Sequence, residues 1–471
     1  MTASLLDTLS GARHELVPLE PGHVRIYSCG PTVYGPTHVG NFRSFLFADL
    51  LVRHLRHTGL RVTWVMNVTD VDDKIIRGAA AEGTTIGELA DRWLTRFRAD
   101  AAALRMTEPD VLPRATDHIP AMVDLVDRLV ADGHAYRTDD GSIFFRIASW
   151  PAYGRLAKLD PEQLRVGERV EADEYGKDDV RDFALWKGPK AGEPSWDTRI
   201  GTGRPGWHIE CSAMSMRHLG PSFDIHTGGV DLVFPHHEDE IAQSEAATGQ
   251  TFVRTWLHCA HLRLDGSKMA KSTGNITRVV DLLDAGTSPR ALRLALISVH
   301  YRQALDFSDA SLDAAAAAIA RLDGVLGALR AYREDRPDES VVVAWLDQAR
   351  TAFDAALDDD LNVSAALAVV FEVVREANRR IADRSISTAD AARIVELLRD
   401  LDAVLAVLPD EVPTADDLPP GARELLDERE AARARRDWPA SDRLRSELGV
   451  LGVLVEDTAD GQRWRLGEPV G

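Results

Sequence analysis

The feature that most constrains this chain is a strand, a glycine-bounded turn and a helix in immediate succession near the N-terminus. Val24 to Cys29 is apolar enough for a buried strand, and His38-Val39-Gly40-Asn41 lies in a Pro/Gly-rich turn. Apolar residues then recur at helical spacing from Phe42 to Leu55, and Val62 to Val68 alternates like a second strand. This order predicts a βαβ unit whose turn presents free backbone N–H groups to an anion.

A second loop, Lys268-Met269-Ala270-Lys271-Ser272, follows much later in the chain. Its two ammonium groups are suited to neutralising the phosphates of a nucleotide. Either motif alone is weak, but the two in this order predict a nucleotide-binding catalytic domain.

The length of 471 residues predicts several domains. The expected fold class is α/β, with a Rossmann-like doubly wound parallel sheet that is split by an insertion. The resumed half contains the strand-like segments Phe223 to His226 and Thr255 to Leu264. The predicted parts are the first half of the catalytic domain (1–105), an inserted connective subdomain (106–205), the second half (206–310), an Ala- and Leu-rich helical bundle (311–408), and a Pro-rich linker with a small final unit (409–471).

Composition narrows the class of protein. No apolar run approaches the roughly 18 residues of a membrane span, and Met1 to Leu16 has the pattern of neither a secretory signal nor a transit sequence. The three cysteines, Cys29, Cys211 and Cys259, are too few for a disulfide framework. We therefore expect a cytoplasmic protein with no membrane partner.

Four residues form a candidate metal site. Cys29 ends the first strand, Cys211 lies in a distant segment, and His236 and Glu240 are four residues apart and so share one helix face. Two thiolates, an imidazole and a carboxylate are ligand types that zinc accepts.

Alternatives remain for this constellation. His226, His237 and Glu238 are competing ligands, and the two cysteines could instead be buried structural residues. Cys259 matches no ligand position and is interpreted as a small buried apolar residue.

The formal net charge of −20 argues against a polyanionic partner, but arginines recur near the C-terminus. They are interpreted either as a solvated helix face or as a stripe that binds an RNA backbone. The residues are Arg429, Arg433, Arg435, Arg436, Arg443 and Arg445.

The motifs together resemble those of class I cysteinyl-tRNA synthetases over nearly the full chain. The matching segments are Cys29-Gly30-Pro31-Thr32-Val33-Tyr34, His38-Val39-Gly40-Asn41, Asn67-Val68-Thr69-Asp70-Val71-Asp72-Asp73-Lys74, Gly206 to Met214, Phe223-Asp224-Ile225-His226, Pro235-His236-His237-Glu238, the Lys268 to Ser272 loop, Asp457-Thr458 and Trp464.

The resemblance implies a zinc- and ATP-dependent ligase that forms cysteinyl-adenylate and transfers cysteine to the 3′ end of tRNA-Cys. Its partners would be L-cysteine, ATP with Mg²⁺, and tRNA-Cys, and the chain would be a monomer. One Zn²⁺ per chain would be held by Cys29, Cys211, His236 and Glu240. The ATP-binding residues would be His38, Gly40, Asn41, Lys268, Lys271 and Ser272, and the cysteine pocket would contain Thr69, Trp207 and Asp231.

Two positions depart from the common pattern. Asn41 replaces the His that usually ends the first motif, and Ala270 stands where Ser is commoner in the second. Because Asn keeps a hydrogen-bond donor and Ala270 is not one of the lysines, we expect activity to be retained.

The final unit resembles the anticodon-binding module of this family. Acidic side chains such as Asp442 and Asp457 could accept hydrogen bonds from bases, and Trp464 could stack on a base or belong to the core. Two other functions share the core motifs. One is a ligase that joins cysteine to a small amine, as in mycothiol biosynthesis, and the other is a non-catalytic tRNA-binding paralogue.

Overall fold

The computed structural model describes residues 3–159, 181–264, 267–268, 277–337, 340–410, 418–458 and 461–466. Contacts divide the chain into two compact units. The first comprises Met1–Ala316, Thr351–Val369 and Ala403–Ala406, and the second comprises Ala317–Arg350, Val370–Asp402 and Val407–Gly471.

The strands are numbered in chain order. They are β1 (Ser4–Leu6), β2 (Arg13–Glu15), β3 (His23–Ser28), β4 (Arg61–Met66), β5 (Ala135–Arg137), β6 (Ile143–Phe145), β7 (Phe183–Lys187), β8 (Arg204–Pro205), β9 (Phe223–Gly229), β10 (Val253–Cys259), β11 (Leu262–Leu264), β12 (Ser267–Lys268), β13 (Leu305–Phe307), β14 (Val453–Thr458) and β15 (Gly461–Leu466).

The α-helices are numbered in the same way. They are α1 (Val39–His57), α2 (Asp73–Glu82), α3 (Ile86–Ala103), α4 (Ile119–Ala131), α5 (Trp207–Leu219), α6 (Glu238–Thr248), α7 (Val279–Asp284), α8 (Pro289–Ile297), α9 (Asp309–Ala331), α10 (Ser340–Asp358), α11 (Val363–Ala382), α12 (Thr388–Leu405), α13 (Ala422–Ala434) and α14 (Trp438–Val450). Among the helices of the described ranges, none is long and apolar enough to cross a membrane.

The catalytic unit is built on a four-stranded sheet in the order β10-β9-β3-β4, with every pair parallel. Helix α1 connects β3 to β4, and α6 connects β9 to β10. The predicted α/β fold class, with two βαβ halves separated by an insertion, is therefore confirmed. Since the two halves meet where β3 pairs with β9, their carboxyl ends form the crevice in which such sheets bind ligands.

The predicted strand from Thr255 to Leu264 is wrong as a single element. β10 ends at Cys259, and β11 pairs instead with β12 and β13 in a separate sheet. The break occurs because the Ala260 N–H donates to the carbonyl of Tyr301 at 2.7 Å, which takes the backbone out of the parallel ladder.

Helix α1 is held in place by a cap at its N-terminus, by buried apolar side chains and by a buried ion pair. His38 caps its N-terminus, and apolar side chains such as Phe42, Leu46 and Leu50 are buried. On the same helix the fully buried Asp49 pairs with Arg293 of α8 at 2.7 Å. Each buried apolar side chain contributes about 1.5–3 kcal/mol relative to its exposed state, so this packing fixes the turn before α1.

The inserted region contributes an antiparallel sheet in the order β5-β6-β7-β8, with α4 packed nearby. Its aromatic residues Phe145 and Phe183 stack with ring centroids 5.0 Å apart. The predicted insertion thus contains its own sheet in the part of it that is described.

The chain after β13 is helical through α9 to α12, as predicted, and ends in a small α+β arrangement. There α13 and α14 form a helical hairpin that packs on the antiparallel β14–β15 pair. Leu426, Leu448 and Val453 belong to its buried core, and Trp464 is partly buried against them.

Candidate active site

The candidate site lies at the carboxyl end of the parallel sheet. Cys29 directly follows β3, the Asn67–Thr69 segment follows β4, and Val230 follows β9. Backbone hydrogen bonds join the first two loops, since the Thr69 N–H donates to Pro31 at 3.0 Å and the Val33 N–H donates to Thr69 at 3.1 Å.

The four predicted metal ligands converge there. One potential ligand atom from each of Cys29, Cys211, His236 and Glu240 lies within 4.8 Å of the others. The two Sγ atoms are 3.9 Å apart, Cys29 Sγ lies 3.9 Å from Glu240 Oε1, and His236 Nε2 lies 3.2 Å from the same oxygen. Side chains from the residue after β3, from α5, from the turn before α6 and from the first turn of α6 thus surround one small volume.

A second group of four overlaps this one. Cys29 and Glu240 also lie within 4.8 Å of His226 and His237 when one ligand atom is taken from each. His237 Nε2 is 3.3 Å from Cys29 Sγ. The His237 ring can occupy this position because residue 228 is a glycine and has no Cβ. A Cβ at Gly228 would be only 2.6 Å from His237 Cε1.

Glu238, the third competing residue, belongs to neither group. Its carboxylate accepts hydrogen bonds from the backbone N–H groups of Gly154 at 2.8 Å, Leu156 at 2.9 Å and Ala157 at 3.0 Å. These three donors hold the carboxylate in a structural role that anchors the inserted region to α6.

The contacts around the overlapping groups favour the set with two thiols. His226 Nε2 lies 3.1 Å from Glu240 Oε2, which is the oxygen that does not face His236. In this arrangement His226 holds the second oxygen of Glu240, and Oε1 remains available to a metal.

His236 has its own outer partners. Its Nδ1 lies 2.8 Å from Nδ1 of His208, whose Nε2 lies 3.3 Å from Asp239. The Tyr153 hydroxyl donates to the same aspartate. If each imidazole donates outward toward Asp239, His236 Nε2 is unprotonated and can bind a metal, an arrangement that metal-binding histidines commonly use.

The sequence analysis did not identify His208 and Asp239 as the outer partners of His236. His208 was visible only as a member of the Trp207-His208-Ile209-Glu210-Cys211 segment, and its proximity to His236 depends on the packing of α5 against α6. Asp239 carried no signal beyond its position beside Glu238 and Glu240.

Burial shapes the protonation of the cluster. It raises the pKa of the Cys29 thiol well above its usual range, with Cys211 as a further cause, and it raises the pKa of Glu240 in the same direction. Burial also lowers the pKa of His236 well below its usual range. Since anions are costly to bury without a cation, a divalent ion would offset the charge of these donors and stabilise their deprotonated forms. The donor set therefore fits a zinc ion.

The residues predicted for the cysteine pocket lie around this cluster. Thr69 is buried, and its hydroxyl lies 3.1 Å from Glu210. Trp207 begins α5, is 41% exposed and stacks on His236 with ring centroids 4.2 Å apart. Asp231 is exposed in the turn after β9. Trp207 thus contacts a predicted ligand directly, and Thr69 contacts the residue before Cys211.

The first nucleotide motif forms the N-terminus of α1. The ring of His38 accepts a hydrogen bond from the backbone N–H of Asn41 at 3.2 Å, and Gly40 lies in the first turn. The backbone segment that follows the second motif reaches this turn, because Val39 N–H donates to Thr277 at 3.0 Å and His38 pairs with Arg278.

The second motif is described only in part. Lys268 lies in β12, where its backbone pairs with Arg263. Lys271 and Ser272 lie outside the described residues.

Cys259 is separate from the metal-ligand groups of the described residues. It is buried at the end of β10, and burial raises the pKa of its thiol to about 11. This matches its interpretation as a small buried residue. All three cysteines are free thiols.

The C-terminal arginines are arranged around one carboxylate rather than as a uniform solvated stripe. Arg429 is fully buried and reaches Asp457 at 2.9 Å, Arg433 reaches it at 2.8 Å, and Arg445 also pairs with it. Arg443 pairs with Glu447 at 3.5 Å instead.

Comparison with known proteins gives consistent family matches along the chain. The family described as "tRNA synthetases class I (C) catalytic domain" matches residues 15–317, a DALR domain matches 352–409, and a "Cysteinyl-tRNA ligase anticodon binding domain" matches 415–465.

Curated relatives match over nearly the full length. The chain is 43% identical to the cysteine–tRNA ligase of Koribacter versatilis, covering 99% of this chain and 100% of the relative. It is 46% identical to the cysteine–tRNA ligase of Halorhodospira halophila, with 98% of each covered.

Solved structures share the fold at low identity. The Mycobacterium tuberculosis methionyl-tRNA synthetase in complex with methionyl-adenylate aligns with a TM-score of 0.58 at 17% identity, over 95% of this chain and 98% of that one. The Agrobacterium radiobacter K84 LeuRS in its ternary complex aligns with a TM-score of 0.60 at 12% identity, over 85% and 88%.

Proposed function

This chain belongs to the cysteine–tRNA ligase family of class I tRNA synthetases, and we propose that it activates L-cysteine with ATP and transfers it to the 3′ end of tRNA-Cys. The observation that carries the proposal is the convergence of Cys29, Cys211, His236 and Glu240 at the carboxyl edge of the sheet. The full-length match to curated ligases, including the match to the anticodon-binding family at 415–465, does not favour the small-amine ligase or the non-catalytic paralogue.

We propose that these four residues hold one Zn²⁺. When bound, the ion would supply a soft Lewis acid that prefers the sulfur of cysteine to the hydroxyl of serine. Selection by coordination chemistry matters because a pocket that reads shape alone separates such near-isosteres by only about 10- to 200-fold.

The residues of the chain would divide the remaining work. The stacking of Trp207 on His236 would hold the imidazole in place, and Thr69 and Asp231 would contact the main-chain groups of cysteine. These contacts orient the substrate carboxylate, which is itself a competent nucleophile toward the α-phosphate of ATP. Catalysis at this step then rests on positioning and on stabilising phosphate charge rather than on a strong base.

ATP, with Mg²⁺, is proposed to bind at the N-terminus of α1. The dipole of α1 favours phosphate at this end of the helix, and Gly40 lets the nucleotide approach the backbone closely. His38 and Asn41 would contact the nucleotide. Lys268, Lys271 and Ser272 would neutralise the triphosphate as pyrophosphate leaves.

We further propose the five-part division into 1–105, 106–205, 206–310, 311–408 and 409–471. Support comes from the family matches, whose limits at 317, 352–409 and 415–465 lie near the last two of these boundaries. A monomer acting in the cytoplasm remains part of the proposal.

The test is charging of a tRNA-Cys transcript with labelled cysteine, with serine and a non-cognate tRNA as controls. We expect only cysteine to be esterified, and only to tRNA-Cys. Cysteine-dependent exchange of pyrophosphate into ATP without charging would overturn the tRNA assignment, and absence of both reactions would overturn catalysis.

A further inference from the structure

A buried arginine connects the helix that carries the first nucleotide motif to the strands that lead to the second. Arg43 lies on α1 two residues after Asn41 and is only 2% exposed. Its guanidinium group donates hydrogen bonds to four backbone carbonyls. The acceptors are Ala260 at 3.2 Å, Leu296 at 3.4 Å, His300 at 3.4 Å and Gln303 at 2.5 Å.

Ala260 marks the point at which the chain leaves the parallel sheet. Its N–H donates to the carbonyl of Tyr301 at 2.7 Å, and its own carbonyl accepts the hydrogen bond from Arg43. β11 begins two residues later and pairs with β12, which carries Lys268. Arg43 therefore holds the start of the β11–β12 pair against α1.

The loop that supplies two of the four carbonyls, residues 300–303, is itself fixed. The Tyr301 hydroxyl donates to the fully buried Asp360 at 2.8 Å. The Tyr301 ring stacks on Phe47 of α1, with ring centroids 4.2 Å apart. The carbonyls of this loop are thus presented to Arg43 in one arrangement.

The contacts require the shape of a guanidinium group as well as its charge. The four carbonyls belong to three separate segments, and the planar fork of Arg directs five N–H donors outward from three nitrogens. A lysine ammonium group has three donors on a single nitrogen and cannot reach all three segments together. Because the acceptors are backbone atoms, these contacts set the position of the backbone itself.

We propose that Arg43 is a positioning residue for the activation of cysteine, because it fixes β11 and β12 relative to the N-terminus of α1 and so sets the geometry in which the two nucleotide motifs meet ATP. The inference rests on the proposed function, since it requires both motifs to contact the triphosphate. It predicts an effect on one step alone. Formation of cysteinyl-adenylate uses the triphosphate, whereas metal binding, cysteine binding and transfer from the finished adenylate to tRNA do not.

Three variants test this role. Arg43→Lys keeps the buried positive charge and removes the fork. Tyr301→Phe leaves Arg43 intact and removes the hydrogen bond that fixes the 300–303 loop. Arg293→Lys is the matched control, because Arg293 is equally buried and also contacts α1, but through Asp49 at 2.7 Å and the carbonyl of Leu405 at 2.6 Å.

We expect Arg43→Lys to lower the kcat of cysteine-dependent pyrophosphate exchange about 10- to 100-fold, as for a displacement of about 1 Å between positioned groups. The KM for cysteine and the metal content should stay unchanged. Single-turnover transfer to tRNA-Cys, started from enzyme-bound cysteinyl-adenylate that has accumulated in the presence of pyrophosphatase, should also keep its wild-type rate. Tyr301→Phe should give a smaller fall in exchange and no further fall in an Arg43→Lys background. Arg293→Lys should keep both steps at the wild-type rate.

Unchanged exchange in Arg43→Lys would overturn the inference. Parallel losses of exchange, transfer and metal in that variant would show a general structural role and would also overturn it, as would an equal loss of exchange in Arg293→Lys. If Arg43→Lys does not fold, Tyr301→Phe decides, since a selective fall in its exchange supports the inference and wild-type exchange rejects it. Absence of cysteine-dependent exchange in the wild-type protein would instead reject the proposed function.

Discussion

The metal-ligand cluster of the catalytic unit and the arginine cluster of the C-terminal unit differ in the groups that surround their carboxylates. Glu240 is fully buried, and its ion-pair partners among the described residues are histidines. The side chain of Asp457 is 29% exposed and is surrounded by the guanidinium groups of Arg429, Arg433 and Arg445.

The difference shows what each cluster lacks. Buried thiols and a carboxylate without a fixed cation are stable as neutral groups, and they become strong ligands when a metal supplies the charge. Three arginines against one aspartate leave a surplus of two positive charges, which suits an anion such as an RNA backbone. The first site can therefore accept a cation, and the second carries a local excess of positive charge.

The largest expected effect comes from breaking the first cluster. Cys211→Ser replaces a soft ligand with a hard, neutral one, so we expect loss of bound metal and a fall of about 100-fold or more in cysteine-dependent pyrophosphate exchange. Elemental analysis and the exchange assay measure the two effects. Cys259→Ser is the matched control, because Cys259 is equally buried but belongs to neither candidate ligand group. Full exchange in a Cys211→Ser protein shown to be free of metal would remove the basis for zinc selection.

A smaller and more selective effect is expected from the second cluster. Asp457→Asn removes the counter-charge of the buried Arg429 and loosens the arrangement of Arg433 and Arg445. Charging at subsaturating tRNA should fall about tenfold, equivalent to about 1.4 kcal/mol, while cysteine-dependent pyrophosphate exchange is unchanged.

The control for this change is Asp427→Asn, which removes an exposed acid from α13. It should leave both reactions near the wild-type rate. If exchange falls in the same proportion as charging in Asp457→Asn, the two clusters are not functionally separate and the comparison fails.

A third test separates packing from recognition in the C-terminal unit. Trp464 is partly buried against the core of that unit, whereas Trp438 is 54% exposed with Arg433 lying 5.8 Å from its ring centre. Trp464→Ala should destabilise the unit by about 2 kcal/mol, below the roughly 3–5 kcal/mol of a fully buried Trp. Trp438→Ala should lower the free energy of unfolding far less, because Trp438 is already largely exposed and buries little apolar area. Urea unfolding followed by circular dichroism measures both, and equal losses would contradict this assignment.

The sequence predicted the parts of the fold that depend on local pattern. The strand found as β3 and the helix found as α1 were placed to within a few residues, because apolar runs and helical periodicity are written directly into those segments. The break between β10 and β11 was not predictable in this way. It depends on a hydrogen bond from Ala260 to Tyr301, which belongs to a distant loop.

The candidate metal cluster shows the same limit. Spacing on a regular helix places His236 and Glu240 on one face and turns His237 away by about 100°. The irregular turn Val233–His237 precedes α6, and it brings both histidines close to the cluster. Sequence could name the ligand types, but the overlap of two groups and the outer contacts of His208 depend on how the elements pack.

The smallest expected effect concerns acid and tests whether the charge of Asp457 stabilises the C-terminal unit. The hydrogen bond from Arg429, together with the charges of Arg429, Arg445 and Arg433, lowers the pKa of Asp457 below its ordinary value of 3.8. Because the folded pKa lies below the unfolded one, the carboxylate contributes its full stabilisation above about pH 3.8 and loses it as the pH falls through the lower folded value.

The difference in unfolding free energy between wild type and Asp457→Asn should therefore be constant from pH 7 to about pH 5 and shrink below about pH 4. Urea unfolding at a series of pH values measures it, with Asp427→Asn as the reference for an exposed carboxylate. A difference that already shrinks between pH 7 and pH 5 would show that a group other than Asp457 titrates with the cluster. A difference that persists at pH 2 would show that the Asn side chain disturbs packing rather than charge. If the difference in unfolding free energy shrinks only below about pH 4, Asp457 is ionised at neutral pH, and three arginines then share its single negative charge.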